Sequence, residues 1–176
     1  QKPDEVIKLS LHHHDPPNSV IGEFLTSWAE EIKQKTNGKV EITVFANGAL
    51  GTAKEAHKMA TSGICDIAWG YTGNFPGQFP VTEAFGLPMI GIQNVEMGSL
   101  AMWDLYQNTD YMQEEYKDVH VLFLHTQLDV PIGLKSKKVE TLEDLKGLQL
   151  RTSSGPALDY VREIGATPVS LPAPDI

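Results

Sequence analysis

Apolar and polar positions alternate over residues 6–11, Val-Ile-Lys-Leu-Ser-Leu, and again over 40–46, Val-Glu-Ile-Thr-Val-Phe-Ala. Alternation with period two predicts strands. Between them the period lengthens. Val20, Ile21, Phe24, Leu25, Trp28 and Ile32 fall on one face of a helix expected from about 19 to 36, while Glu30, Lys33 and Lys35 lie off it. Asn37-Gly38 stops that helix, and Asn47-Gly48 turns the chain after the second strand. Thr52 and Glu55 have the spacing of a capping box, opening a short helix to about Ser62 that Gly63 closes. Residues 64–70 read as a buried strand, apolar except for Asp66.

Further on, Gly73, Pro76, Gly77 and Pro80 mark 72–80 as loop, and Pro88 makes 84–92 an irregular buried segment. Residues 94–116 read as a helix broken near Asn108, 119–128 as the most apolar strand, and 131–135 as a further one. Thr141-Leu142-Glu143-Asp144-Leu145 is a single helical turn, and 166–171 a closing strand.

One stretch combines several signals. Leu148 and Leu150 alternate around Gln149, and Arg151 stands where that strand should end. Thr152, Ser153 and Ser154 are residues that cap helices, and Pro156 suits a first helical position. Leu158, Val161 and Ile164 then recur every third residue up to Gly165. A guanidinium beside the N–H groups of a helix start favours anions, and Arg grips a carboxylate with two parallel hydrogen bonds. An ordinary surface arginine at a strand end fits the same pattern.

Strands alternating with helices predict an α/β fold with a parallel sheet, and in such sheets ligands bind beyond the carboxyl ends of the strands. His12, Trp69-Gly70-Tyr71 and Arg151 are all expected at such ends. The chain of 176 residues is 41% hydrophobic and 21% charged, with a formal net charge of −9. That acidity makes nucleic acid and anionic membrane surfaces poor partners. Its single cysteine, Cys65, precludes an internal disulfide, and no apolar run is long enough to insert in a membrane.

His12-His13-His14-Asp15 invites a metal reading, because alternate residues of a strand end point to one side. No spaced His, Cys or Glu supplies a third distant ligand, so no metal and no cofactor is expected. A hydrogen-bonding role suits His12, and a solvated loop suits His13 and His14. Cys65 lies in an apolar stretch, where a thiol is inert. Thr152-Ser153-Ser154-Gly155 lacks the glycine spacing of a nucleophile elbow, and neither a dinucleotide fingerprint nor a P-loop occurs. Trp69 reads equally as core or as pocket wall, whereas Tyr71, past the strand, can be wall and hydrogen-bond donor together.

Several blocks resemble the substrate-binding proteins of TRAP transporters, the DctP-like family. They are residues 40–51 with Glu55, Ser62-Gly63-Ile64-Cys65-Asp66-Ile67-Ala68, Phe85-Gly86-Leu87-Pro88, Asp144-Leu145-Lys146-Gly147-Leu148-Gln149-Leu150-Arg151 and Gly165-Ala166-Thr167-Pro168-Val169. They span nearly the whole chain in the family's order.

The resemblance implies a periplasmic receptor, its signal peptide already removed, with two α/β lobes and a hinged cleft that closes on an organic acid. The acid then passes to membrane permease subunits driven by an ion gradient. The family's carboxylate-binding arginine falls on Arg151, a polar contact on His12, and further contacts near Tyr71 and Asn74. Together with Trp69, Thr152 and Ser153 these are the expected substrate-binding residues, and no catalytic residue is expected.

A second arginine that many members carry upstream is replaced here by Pro131. The family is also nearly twice as long. The chain is therefore expected to be a fragment, with 1–126 most of the first domain and 127–176 the start of the second. Two other readings remain open. One is an α/β enzyme with His12 as base and Arg151 as anchor, although no Asp/Glu–His pairing supports a positioned base. The other is the ligand-sensing domain of a signalling protein.

Overall fold

The structure, a computed structural model, describes residues 6–87, 90–127, 132–135, 138–152 and 156–171. They fall into two compact units, one made by the chain up to Tyr71 and the other by Thr72–Leu171.

In the first unit the alternating segments form strands β1 (Ile7–His12), β2 (Val40–Phe45) and β3 (Ile67–Ala68). All are parallel, in the order β2-β1-β3. The register runs from Ile7 opposite Val40 to His12 opposite Phe45, and His12 also faces Ala68. Parallel neighbours need crossover connections. Helix α1 (Val20–Lys35) supplies the first and packs on β2; α2 (Ala56–Thr61) ends the second and packs on β3.

Ser19 caps α1 by accepting the Gly22 N–H at 3.1 Å, and Asn37 and Gly38 leave the helix at positive φ. Asn47-Gly48 does the same after β2, and Glu55 accepts both the backbone N–H and the hydroxyl of Thr52, at 2.9 and 2.8 Å. The third strand is shorter than the 64–70 expected. The Asp66 carboxylate accepts the Ser10 N–H and hydroxyl, both at 2.7 Å, so a side chain takes a donor that a longer ladder would use.

The buried face of α1 also differs from expectation. Leu25 and Ala29 are buried with Gly22, while Val20 and Phe24 are exposed. Gly22 sets that face. A Cβ there would meet the carbonyl oxygens of Pro16 and Pro17, the latter at 2.7 Å, so the first turn lies directly on the proline loop that leaves β1.

The second unit has two apolar clusters. Around Phe79, Met102, Met112 and Tyr116 pack α3 (Pro80–Ala84), α4 (Val95–Asn108) and α5 (Asp110–Glu115), with α4 and α5 separated next to Asn108 as the sequence predicts. Helix α3 was not expected, since 72–80 reads as loop running into an irregular segment. Pro80 opens it, and the Glu115 carboxylate accepts the N–H groups of Val81 and Thr82 and the Thr82 hydroxyl. Its cap thus comes from more than thirty residues away. The Thr82 hydroxyl also meets the Tyr116 hydroxyl at 2.9 Å, and burial pushes the Tyr116 phenol up to about 12.

Residues 119–127 form no ladder among the described residues, contrary to the strand expected there, and neither do 132–135. Val119, Val121 and Leu124 instead pack on the Phe79 cluster. Thr126 fastens the segment to α4 by donating its N–H to the Ser99 hydroxyl at 3.0 Å and its hydroxyl to the Val95 carbonyl at 3.2 Å. The second cluster, Leu145, Leu150, Val161 and Ala166, lies where α6 (Pro156–Glu163) connects the parallel strands β4 (Gln149–Thr152) and β5 (Thr167–Ser170). Gly165 follows α6 at φ +86, as a helix-ending glycine should.

Candidate functional site

The two units carry separate parts of the expected binding set. In the first, β1 delivers His12 to the carboxyl end of the central strand. The Trp69 N–H donates to the His12 carbonyl at 2.9 Å, extending the β1–β3 pairing by one step. The Trp69 ring stacks on His14 with centroids 5.3 Å apart and planes at 29°. Tyr71 follows Gly70 and is half-buried.

The histidines are less exposed than the sequence suggests. His12 and His13 are both 0% exposed, so the solvated-loop reading of His13 is corrected; His14 is half-buried against Trp69. The reason lies in the backbone. His13 continues the sheet, its N–H donating to the Phe45 carbonyl at 3.1 Å and its carbonyl accepting from Gly48 at 3.1 Å, so the loop begins one residue later. Both ring nitrogens of His12, both of His13 and Nδ1 of His14 are buried without a hydrogen-bond partner among the described residues.

Burial lowers the pKa of all three imidazoles. At His12 the like charges of His14 and His13 add to the effect, whereas Asp15 opposes it at His13 and His14. Among the described residues no group of three or more His, Cys, Asp or Glu side chains is arranged to hold a metal ion. Cys65 is 1% exposed, and burial pushes its thiol up, away from the reactive thiolate.

A stability consequence follows. The folded pKa of each imidazole lies below its unfolded value, so the unfolded chain binds more protons as pH falls. The contribution is complete above the unfolded pKa, about 6.5, and is lost as pH drops from there through the folded pKa values. The ligand-free protein should therefore lose melting temperature between pH 7 and pH 5. The His12→Gln, His13→Gln, His14→Gln triple variant should show a flatter profile in the same thermal scans.

In the second unit, Arg151 lies in β4 and is exposed. Its guanidinium forks onto one acceptor, Nε and Nη2 donating to the Leu171 carbonyl at 3.0 and 2.8 Å. A neutral carbonyl fixes the plane of the group without cancelling its charge, and among the described residues no carboxylate pairs with it. Thr152 is the next residue of β4, opposite Ser170. Asn74 ends the 3-10 turn Thr72–Asn74 and is half-buried. Ser153 and Pro131 lie outside the described residues. The structure thus brings His12, His14 and Trp69 together in one unit and sets Arg151 beside Thr152 in the other.

Parallel strands joined by helices define an α/β fold, in which the carboxyl ends of the strands are the usual place for a ligand. The chain belongs to bacterial extracellular solute-binding protein family 7, the DctP family, whose model matches residues 11–176. A relative from Comamonas testosteroni, the outer membrane transporter protein TsaT, is 27% identical over 158 residues, covering 89% of this chain and 46% of its own length.

Among solved structures, a TRAP solute-binding protein from Rhodoferax ferrireducens in complex with copurified benzoate is 28% identical with a TM-score of 0.86, over 96% of this chain and 52% of that one. A marine metagenome TRAP solute-binding protein specific for aromatic acid ligands, in complex with 3-hydroxybenzoate, is 26% identical with a TM-score of 0.87, over 97% and 53%. The chain therefore spans about half the length of the proteins it matches, and the fold is the α/β type of two-lobed periplasmic binding proteins. These family members and neighbours are solute-binding proteins, not enzymes. No helix among the described residues is long and apolar enough to cross a membrane.

Proposed function

We propose that this chain belongs to an extracytoplasmic receptor that captures a small organic acid and delivers it to the permease subunits of a TRAP-type, ion-driven transporter. The observation that carries this reading is the likeness over 96% of the chain, at a TM-score of 0.86, to a receptor holding benzoate. Residues 1–126 are assigned to the first domain of that receptor and 127–176 to the opening of the second. Arg151 takes the carboxylate. His12, Trp69, Tyr71, Asn74, Thr152 and Ser153 complete the contacts.

A guanidinium held in a planar fork, with no carboxylate paired to it among the described residues, supports the anchor role, because an anion gains from both its charge and its geometry. The enzyme reading is weaker, since a general base is oriented by a partner and His12 has none among the described residues.

The ligand class is a monocarboxylate with an apolar or aromatic body. Trp69 offers an aromatic face, and Pro131 stands where many members carry a second arginine. A dianion would leave one carboxylate without a cationic partner, and a buried unpaired charge is costly. Calorimetric titration of the complete gene product should give tighter binding for benzoate or 3-hydroxybenzoate than for succinate. Tighter binding of succinate would overturn the class, and binding of no carboxylate would overturn the receptor reading itself.

A further inference from the structure

Two asparagine–glycine pairs punctuate the first unit, Asn37-Gly38 after α1 and Asn47-Gly48 after β2, and the sequence holds no other. Both serve as turns, with φ of +52 and +57 at the asparagines and +77 and +69 at the glycines. The same pairs are chemically reactive. Glycine has no side chain to screen its nitrogen from the amide carbon of the preceding asparagine.

The reaction is an internal transamidation, here written for the first pair. The Gly38 nitrogen gives its proton to hydroxide and bonds to Cγ of Asn37. The Cγ–Nδ2 bond breaks, and Nδ2 takes a proton from water and leaves as ammonia. Water then opens the five-membered imide. Opening at Cγ yields aspartate, and opening at the main-chain carbonyl yields isoaspartate. Only water and hydroxide enter, and nothing is oxidised or reduced.

Two features of the fold oppose ring closure at both pairs. A left-handed residue has ψ near about +47, which turns the next nitrogen away from its own side chain. The proton that must leave is also engaged: the Gly38 N–H donates to the Lys33 carbonyl at 2.8 Å, and the Gly48 N–H to the His13 carbonyl at 3.1 Å. Reaction therefore waits on local opening, and opening costs differ across a structure.

The Asn37 turn is tied only to its own helix. Besides the Gly38 bond, the Asn37 N–H donates to the Gln34 carbonyl at 3.1 Å, so both ties lie in the last turns of α1, and helix ends fray readily. A Cβ on Gly38 would meet nothing within 4 Å, so unwinding there displaces no packing. The Asn47 turn is held by a separate segment. The Asn47 N–H donates to the Asp15 carbonyl at 2.9 Å, Gly48 is bound to His13, and the Gly51 N–H closes on the Gly48 carbonyl at 3.0 Å. Releasing Gly48 means peeling this turn from the chain that continues β1.

We propose that Asn37 is a site of spontaneous deamidation in the folded protein, and that Asn47, with the same chemistry, is shielded by its ties to the segment after β1. Both asparagines are exposed, so access to water does not separate them. The product bears on the sheet. Isoaspartate adds an extra backbone carbon just before Lys39, whose carbonyl accepts the Ile7 N–H at 2.9 Å where the β1–β2 ladder begins. Either product also places a negative charge at the carboxyl end of α1, the end of a helix that favours cations.

The test is incubation of the complete gene product at mildly alkaline pH, in buffer and in parallel in guanidinium chloride. Peptide mapping by mass spectrometry follows each asparagine, and enzymatic methylation of isoaspartate identifies the isomer. In denaturant the two sites should convert at closely similar rates, since each precedes glycine. In the native protein Asn37 should convert about tenfold faster than Asn47 or more, and both more slowly than in denaturant. Amide exchange followed by NMR gives an independent readout, in which the Gly38 N–H should exchange faster than that of Gly48. Equal native rates, a faster Asn47, or an intact Asn37 in native protein when the denatured chain has converted would overturn the assignment. Conversion of Asn47 at its denatured rate, or slower exchange at Gly38 than at Gly48, would overturn the shielding that separates the two.

Discussion

Arg151→Ala is expected to weaken binding of the carboxylate ligand by about thirtyfold to several thousandfold, since truncating one partner of a buried charged pair costs about 2–5 kcal/mol. The structure sharpens why. The Arg151 fork rests on the Leu171 carbonyl at 3.0 and 2.8 Å, which orders the guanidinium, and no carboxylate among the described residues pairs with its charge. Part of the ordering cost of binding is thereby met before the ligand arrives. Arg151→Lys retains the charge but not the two-pronged geometry, and should lose affinity by a smaller factor.

The same hydrogen bonds tie β4 to the residue after β5, so the alanine variant should also lose a little stability, on the order of 1 kcal/mol for an exposed pair of bonds. Calorimetry and denaturant melts of both variants in the complete gene product separate the two effects. Wild-type affinity in Arg151→Ala would remove the anchor assignment. A variant that fails to fold would make Arg151 a structural tie instead.

The second large effect is expected at Gly22. Glycine to alanine inside a helix ordinarily gains about 1 kcal/mol. Here the new methyl group would lie within 2.7 Å of the Pro17 carbonyl oxygen and 2.8 Å of its carbon, and against the Pro16 oxygen as well. These are backbone atoms of a proline pair and cannot rotate aside as a side chain would. Overpacking of this kind costs typically about 1–3 kcal/mol and more where the surroundings are stiff. Gly22→Ala should therefore be destabilising by about 1–3 kcal/mol net, read from the midpoint of a urea melt. A gain in stability would mean that the loop yields freely. Because that loop directly follows His12-His13-His14, ligand affinity should fall along with stability.

The sequence made some of this legible and hid the rest, for identifiable reasons. Strands β1 and β2 declare themselves by alternation, and Asn37-Gly38 and Asn47-Gly48 by their tolerance of positive φ, because these signals are local. The cap of α3 is not local. Glu115 supplies it from a distant helix, so residues 80–84 read as loop until the chain is folded. The apolar run 119–127 looks like a strand because burial of alternate residues requires only a packed face; here the face is the Phe79 cluster and no ladder accompanies it among the described residues.

At the candidate site, Arg151 stands out through its neighbours in sequence, and His12 through its place at a strand end. His13 and His14 do not. Their burial depends on β2 continuing the sheet past His12 and on the Trp69 ring, both set by tertiary packing. Gly22 escaped notice for the same reason: its role lies in the distance to a loop, and no spacing in the sequence records it.

The position of β1 in the middle of its sheet has a kinetic corollary. The strand has no partner close by in the sequence, for Ile7 must wait for Val40, and Ser10 meets Asp66 across a separation of 56 residues. No hairpin can nucleate this sheet, and each ladder closes a long loop before any reward is collected. Refolding of this unit should therefore be slow for its size, with an extended, apolar β1 exposed in the interim to any chaperone that holds unfolded chains.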